Sequence, residues 1–115
     1  MPSPFKIQTI TIATAGTQAT GTALEEYIPF AVQMSTGWTG TKISFQVSQD
    51  ETNYFNMFSS TGGEITLTVA ASRYVCFVDP ERFLGIKSVK LRAGTSTGTS
   101  TQAAARTLKL VTRSL

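Results

Sequence analysis

Residues 41–48 read Thr-Lys-Ile-Ser-Phe-Gln-Val-Ser, and this stretch decides the fold class. Ile43, Phe45 and Val47 share one parity, while Lys42, Ser44, Gln46 and Ser48 take the other. Successive side chains of a pleated strand point to opposite faces, so this octet buries one face and wets the other. The same period recurs along the chain, cut by Gly, Ser and Thr turns. The expectation is an all-β protein: an antiparallel β-sandwich or jelly roll of about eight strands with one short helical turn.

Working outward from that octet, residues 5–13 read as a first strand. Phe5 and Ile7 lie on one parity and Ile10 and Ile12 on the other, which predicts a bulge near Gln8-Thr9. Residues 14–21 form a polar loop, and a short turn is expected over 23–26. Residues 27–34 form a second strand with Ile28, Phe30, Val32 and Met34 on one face; Pro29 lacks an N–H, which places that part at a sheet edge. Residues 35–40 turn the chain into the octet, and Gln49-Asp50-Glu51-Thr52 closes a hairpin into residues 53–58. Gly62-Gly63 suits another turn. Residues 64–69 follow, with Ile65, Leu67 and Val69 inward. Residues 73–78 carry apolar side chains on both parities and read as a central or covered strand. In Asp79-Pro80-Glu81-Arg82-Phe83-Leu84-Gly85, Asp suits a cap, Pro the first helical position and Gly the stop, so one helical turn should plug an end of the sandwich with Phe83 and Leu84. Residues 86–93 (Val89 and Leu91 inward) and 106–113 (Leu108 and Leu110 inward) are the last strands, joined by a mobile polar loop at 94–101.

The 115 residues suffice for one domain with a two-layer core, so 1–115 is read as a single sandwich with an extended N-terminal arm at 1–6. No apolar run is long enough to cross a bilayer, and no secretory leader is visible. A single cysteine, Cys76, allows no internal disulfide and fits folding in a reducing cytoplasm. Ser and Thr make up roughly a quarter of the chain, as suits solvated strands and turns. The net charge of +3 is too small and too dispersed to argue for nucleic acid.

Catalysis finds little support. The absence of His removes the commonest general base and metal ligand. The acids Glu25, Glu26, Asp50, Glu51, Glu64, Asp79 and Glu81 show no catalytic spacing, and a paired-carboxylate glycosidase lacks any supporting motif. Cys76, inside an apolar strand, reads as a buried, inert thiol. Asp50-Glu51-Thr52-Asn53 offers hard oxygen ligands but too few for calcium, and reads as a solvated turn. No cofactor and no metal is expected. Trp38, between two glycines, is a sugar-stacking platform or an aromatic lid over the core, and the lid is favoured; the same preference holds for Tyr54, Phe55 and Phe58. If the last two strands pair across the 94–101 loop, Lys90, Arg92, Lys109 and Arg113 form a basic stripe. That stripe is ordinary solubilising charge, or a dock for an acidic protein partner; nucleic-acid binding ranks last, because no aromatic residues interleave with these charges.

The ordered series Trp38, 43–48, Asn53-Tyr54-Phe55-Asn56, Arg73-Tyr74-Val75, Asp79-Pro80, Phe83, 86–95, 102–107 and 108–111 resembles small structural proteins of tailed-phage virions. The likeness spans roughly residues 27 to 113 and brings no catalytic residues. It implies a non-enzymatic virion protein, foremost a capsid decoration (cement) protein that folds in the host cytoplasm. Its partner would be the major capsid protein or another virion protein. It would form homo-oligomers, trimers among them, and touch neither nucleic acid nor membrane. The contact residues expected on this reading are Lys90, Arg92, Lys109, Arg113, Trp38, Pro2 and Pro4, with loops 14–21 and 94–101 and the N-terminal segment as arms ordered on binding. Trp38, the hairpin at 45–50 and the late basic strand also resemble discoidin-like carbohydrate-binding sandwiches. The alternative is therefore a glycan-binding module of a tail or fibre, built on Trp38, Tyr54 and the basic late strand.

Overall fold

The computed structural model describes residues 4–77 and 79–114. It contains nine strands: β1 (Phe5–Ile12), β2 (Thr22–Ala23), β3 (Tyr27–Gln33), β4 (Lys42–Ser48), β5 (Phe55–Asn56), β6 (Thr66–Thr68), β7 (Tyr74–Cys76), β8 (Ser88–Ala93) and β9 (Arg106–Ser114). A 3-10 turn spans Pro80–Phe83. One sheet has the order β1-β9-β3-β7; the other has β2-β8-β4-β5, with β6 also on β4. Every strand pairing among the described residues is antiparallel, and the pairs nest: β1 with β9, β2 with β8, β3 with β7, β4 with β5 and β6. The chain is thus one long hairpin rolled into two layers, the jelly-roll form of the expected sandwich.

The inner faces explain the layering. Ile10, Ile12, Val32, Leu108 and Leu110 from the first sheet meet Ile43, Phe45, Leu67, Val89, Leu91 and Ala93 from the second in one buried cluster. Phe45, Phe77 and Phe83 close one end, with ring centroids 5.2 to 5.8 Å apart. Phe83 plugs the core as expected, but Leu84 points outward and is 48% exposed.

Several expectations change. β1 carries no bulge: its pairing with β9 is continuous from Phe5–Arg113 to Ile12–Arg106. The parity switch arises because Phe5 and Ile7 face outward while Ile10 and Ile12 face the core. The irregularity lies in β3, where the register shifts between Pro29 and Ala31 and Phe30 turns out of the core face. β3 is an inner strand, yet among the described residues β7 pairs only with Ala31–Gln33, so the paired stretch stops short of Pro29, whose missing N–H removes none of these ladder bonds. β7 is an edge strand, not a central one, and its Cys76 is exposed rather than buried. Only Phe55–Asn56 of the 53–58 stretch is strand, and Phe55 and Phe58 lie exposed rather than over the core. Val78 lies outside the described residues.

The polar loops are folded onto the domain and are not arms. Ala93 N donates to Thr17 O and Ala19 N to Leu91 O, so residues 17–19 extend the β2 edge along β8. The 94–101 loop closes on itself and the sheet, with Gly94 N donating to Lys42 O and Ser100 N to Ala93 O. Gln102 is fully buried at this corner. Its Nε2 donates to Thr39 O (2.7 Å), and its Oε1 accepts from Thr39 N (3.0 Å) and Arg106 Nε (3.3 Å). One side-chain amide thereby ties the 35–40 loop, its own loop and the start of β9 together.

Candidate interaction surface

The two outer faces differ in chemistry. On the second sheet, Ser44, Ser48, Ser88 and Arg92 point outward yet are buried beneath their own neighbours. Arg92 donates from Nε to Ser44 Oγ (2.8 Å), from one terminal nitrogen to Asn56 Oδ1 (2.9 Å) and from the other to Glu64 Oε2 (2.9 Å). Glu64 also accepts from Ser96 N, which pins the 94–101 loop. Gln18, Gln46 and Asn56 continue the network. Tyr54 OH and Ser88 Oγ are hydrogen-bonded at 2.8 Å, and the Lys90 ammonium lies 4.3 Å from the Tyr54 ring centroid. Gly21 fits beneath that phenol because a side chain there would collide with it. This face is internally satisfied and offers few open donors.

The first sheet presents the reverse. Its cross-strand partners form rows. One runs Ile7–Val111–Ala31–Cys76 across all four strands and is apolar throughout. Beside it runs Thr9–Lys109–Gln33–Tyr74, and on its other side Phe5 stands opposite Arg113. Directly opposed residues of an antiparallel pair share a face, so these rows lie side by side on the outside. Phe5 is 51%, Ile7 60% and Tyr74 57% exposed, while Ala31 is fully covered and forms the floor. A hollow of about 320 Å³ adjoins the rows, lined by Ile28, Phe30, Pro80, Leu84 and Arg113 with Glu81 at its side. Neither Lys109 nor Arg113 has a carboxylate within ion-pair distance among the described residues. An apolar stripe flanked by two unneutralised cations is a surface suited to a partner that is apolar at its centre and acidic at its edges.

The expected basic stripe does not form. β8 and β9 belong to opposite sheets, so Lys90 and Arg92 face one side of the molecule and Lys109 and Arg113 the other. The nested pairing gives β8 to β4 and β2, and β9 to β1 and β3; the 94–105 connection crosses between layers instead of closing a hairpin. Arg92 is consumed by Glu64. Trp38 is only 6% exposed and acts as the lid, so its ring is not offered to a sugar. Pro4 is exposed at the start of β1, and its carbonyl accepts from Ser114 N. Pro2 lies outside the described residues. Phe5, Ile7, Phe30, Tyr74 and Leu84 were missed as surface residues. For Phe5 and Ile7 the signal in the sequence was the paired parity of β1, apolar on both faces; Phe30, Tyr74 and Leu84 carried none.

Asp50 builds the β4–β5 turn. Its carboxylate accepts from the backbone N–H groups of Asn53 and Thr52, from Asn53 Nδ2 and from Ser48 Oγ, and these bonds hold its pKa well below the usual carboxylate range. Those oxygens are committed to the turn. No group of three or more Cys, Asp or Glu side chains gathers as a metal set among the described residues. The fold and surface define a β-sandwich with one hydrogen-bonded polar face and one face that carries an apolar row between Lys109 and Arg113. No family model, no curated protein and no solved structure matches this chain.

Proposed function

We propose that this chain is a non-enzymatic virion structural protein of tailed phages, a decoration protein that binds the assembled capsid through the outer face of the β1-β9-β3-β7 sheet. The observation that carries the reading is the apolar row Ile7–Val111–Ala31–Cys76 between the free cations Lys109 and Arg113. Cement works by burying surface that only the assembled lattice presents, so a rigid adhesive face with an inert back suits it. Jelly rolls recur in viral capsid proteins, which is support by analogy of fold. The partner is the major capsid protein or another virion protein with an acidic rim, and symmetric clusters, trimers among them, match symmetric capsid sites.

The test is co-sedimentation of purified protein with expanded capsids. The wild-type chain pellets with the particles. The double reversal Lys109→Glu with Arg113→Glu weakens binding by about tenfold or more, whereas Lys90→Glu on the other face leaves it unchanged. Failure of the wild-type chain to pellet, or equal loss from both faces, defeats the reading.

The alternative is a glycan-binding module of a tail or fibre. One observation favours it: Tyr54 borders a shallow hollow with Thr20, Thr52, Glu51 and Lys90. Trp38 has no part in that version. Glycan-array binding that Tyr54→Ala abolishes, with the fold intact, would select it.

A further inference from the structure

β1 is the longest edge strand, and from Ile7 to Thr11 no strand among the described residues flanks its outer edge. Ser114 N donates to Pro4 O at 2.8 Å, which sets the hydrogen-bonding phase of the β1–β9 ladder. Even-numbered residues of β1 exchange their bonds with β9, so the N–H and C=O groups of Ile7, Thr9 and Thr11 point away from the sheet. Among the described residues no partner is seen for these groups. The other sheet edges are short: β7 has three residues, β2 and β5 two each. An eight-residue edge with an exposed isoleucine is the kind of template that other proteins blunt with charge, proline or a bulge.

β1 lacks those devices where they would matter. Its one charged residue, Lys6, is turned back into the domain, with Nζ 3.7 Å from Glu25 Oε2 and 5.6 Å from the Tyr27 ring centroid. From Ile7 to Ile12 the strand has no charge and no proline.

We propose that two copies of this chain pair edge to edge through β1, antiparallel about a twofold axis near Thr9. In that register Thr9 faces Thr9 of the second copy and Ile7 faces its Thr11. About six new backbone hydrogen bonds satisfy the open groups. The two four-stranded sheets become one continuous sheet, and the apolar rows of both copies join across the seam through Ile7. Charge permits this pairing. Lys109 sits on β9, so the two Lys109 side chains stand about 14 Å apart across three strand spacings, beyond the screening length at physiological salt. Stacking the basic faces on each other would instead oppose like charges. Such a contact is isologous and closes at two copies, unlike the trimer that capsid symmetry would favour. Its area falls below that of a standard stable interface, so dissociation in the range of about 1 to 100 μM is expected.

The test is sedimentation equilibrium of the full chain across that concentration range, with no capsid present, so it stands or fails apart from capsid binding. The mass rises from monomer to dimer. Ile7→Lys, which places a charge at the seam, weakens pairing at least about tenfold, and Thr9→Pro, which removes an outward N–H, does the same. Thr107→Lys, on the same face but one strand further in, leaves it unchanged. Hydrogen exchange covers the case in which Thr9→Pro does not fold: the Ile7, Thr9 and Thr11 amides gain protection as concentration rises. A chain that stays monomeric to about 1 mM overturns the proposal. So does a dimer indifferent to Ile7→Lys, or one in which those amides stay fast to exchange.

Discussion

At the scale of single residues, two buried polar groups carry more of this fold than their chemistry alone would imply. Gln102 satisfies both the N–H and the C=O of Thr39 and also receives Arg106 Nε. Gln102→Leu keeps the volume but orphans those partners, so a loss of about 2–4 kcal/mol is expected in a urea melt. Arg92 and Glu64, 9% and 13% exposed, form a pair in which removal of one partner strands the other. Glu64→Gln should cost about 3 kcal/mol, while the joint replacement Arg92→Met with Glu64→Leu should cost much less. A double-mutant cycle reads the difference. Gly94 holds φ at +91°, and a Cβ there would collide with the Gly98 carbonyl and lie 2.8 Å from Thr99 Cα, so Gly94→Ala should open the loop that Glu64 pins. Asp50 sets the acid behaviour of the β4–β5 turn. Because its folded pKa is held below the ordinary carboxylate value, its contribution is complete above that value and declines as pH falls toward the folded one. A carboxyl-carbon NMR titration should place Asp50 below the ordinary aspartate range, and Asp50→Asn should remove the acid-dependent loosening of the turn.

At the scale of elements, β1 separates a local reading from a tertiary one. Its parity switch has two explanations: a bulge that keeps all four apolar residues inward, or a straight strand with two apolar residues outside. The continuous register with β9 selects the second. Ile10→Ala should therefore cost about 2–4 kcal/mol, whereas Ile7→Ala should change stability by less than about 0.5 kcal/mol. Equal losses in thermal melts would restore the bulge. β3 shows the converse, since its uniform parity concealed a register shift at Phe30. β4, β6 and β8 kept the facing their alternation predicted because each has one apolar and one polar side, and a slip by one residue would reverse both; the polar sides of β4 and β8 are nonetheless largely covered, since Ser44, Ser48, Ser88 and Arg92 are buried.

At the scale of the molecule, the nested pairing decides what the surface can do. It sends β8 and β9 to different sheets, divides the basic residues between two faces, and leaves Lys109 and Arg113 beside an apolar row that no single strand reveals. If that face is adhesive, the charge reversal described above removes binding while leaving the melting temperature within about 2 °C, because neither side chain supports the core.

The order of residues determined by itself that this chain is an all-β sandwich, where its principal strands run, and that Phe83 closes the core, because period-two alternation and turn chemistry act over a few neighbours. Only the tertiary structure decided which strands pair, that Cys76 and Phe55 face solvent, that Trp38 and Arg92 do not, and that an apolar row crosses four strands. These depend on which face of each strand a distant segment covers, and that covering comes from residues up to the whole chain length away.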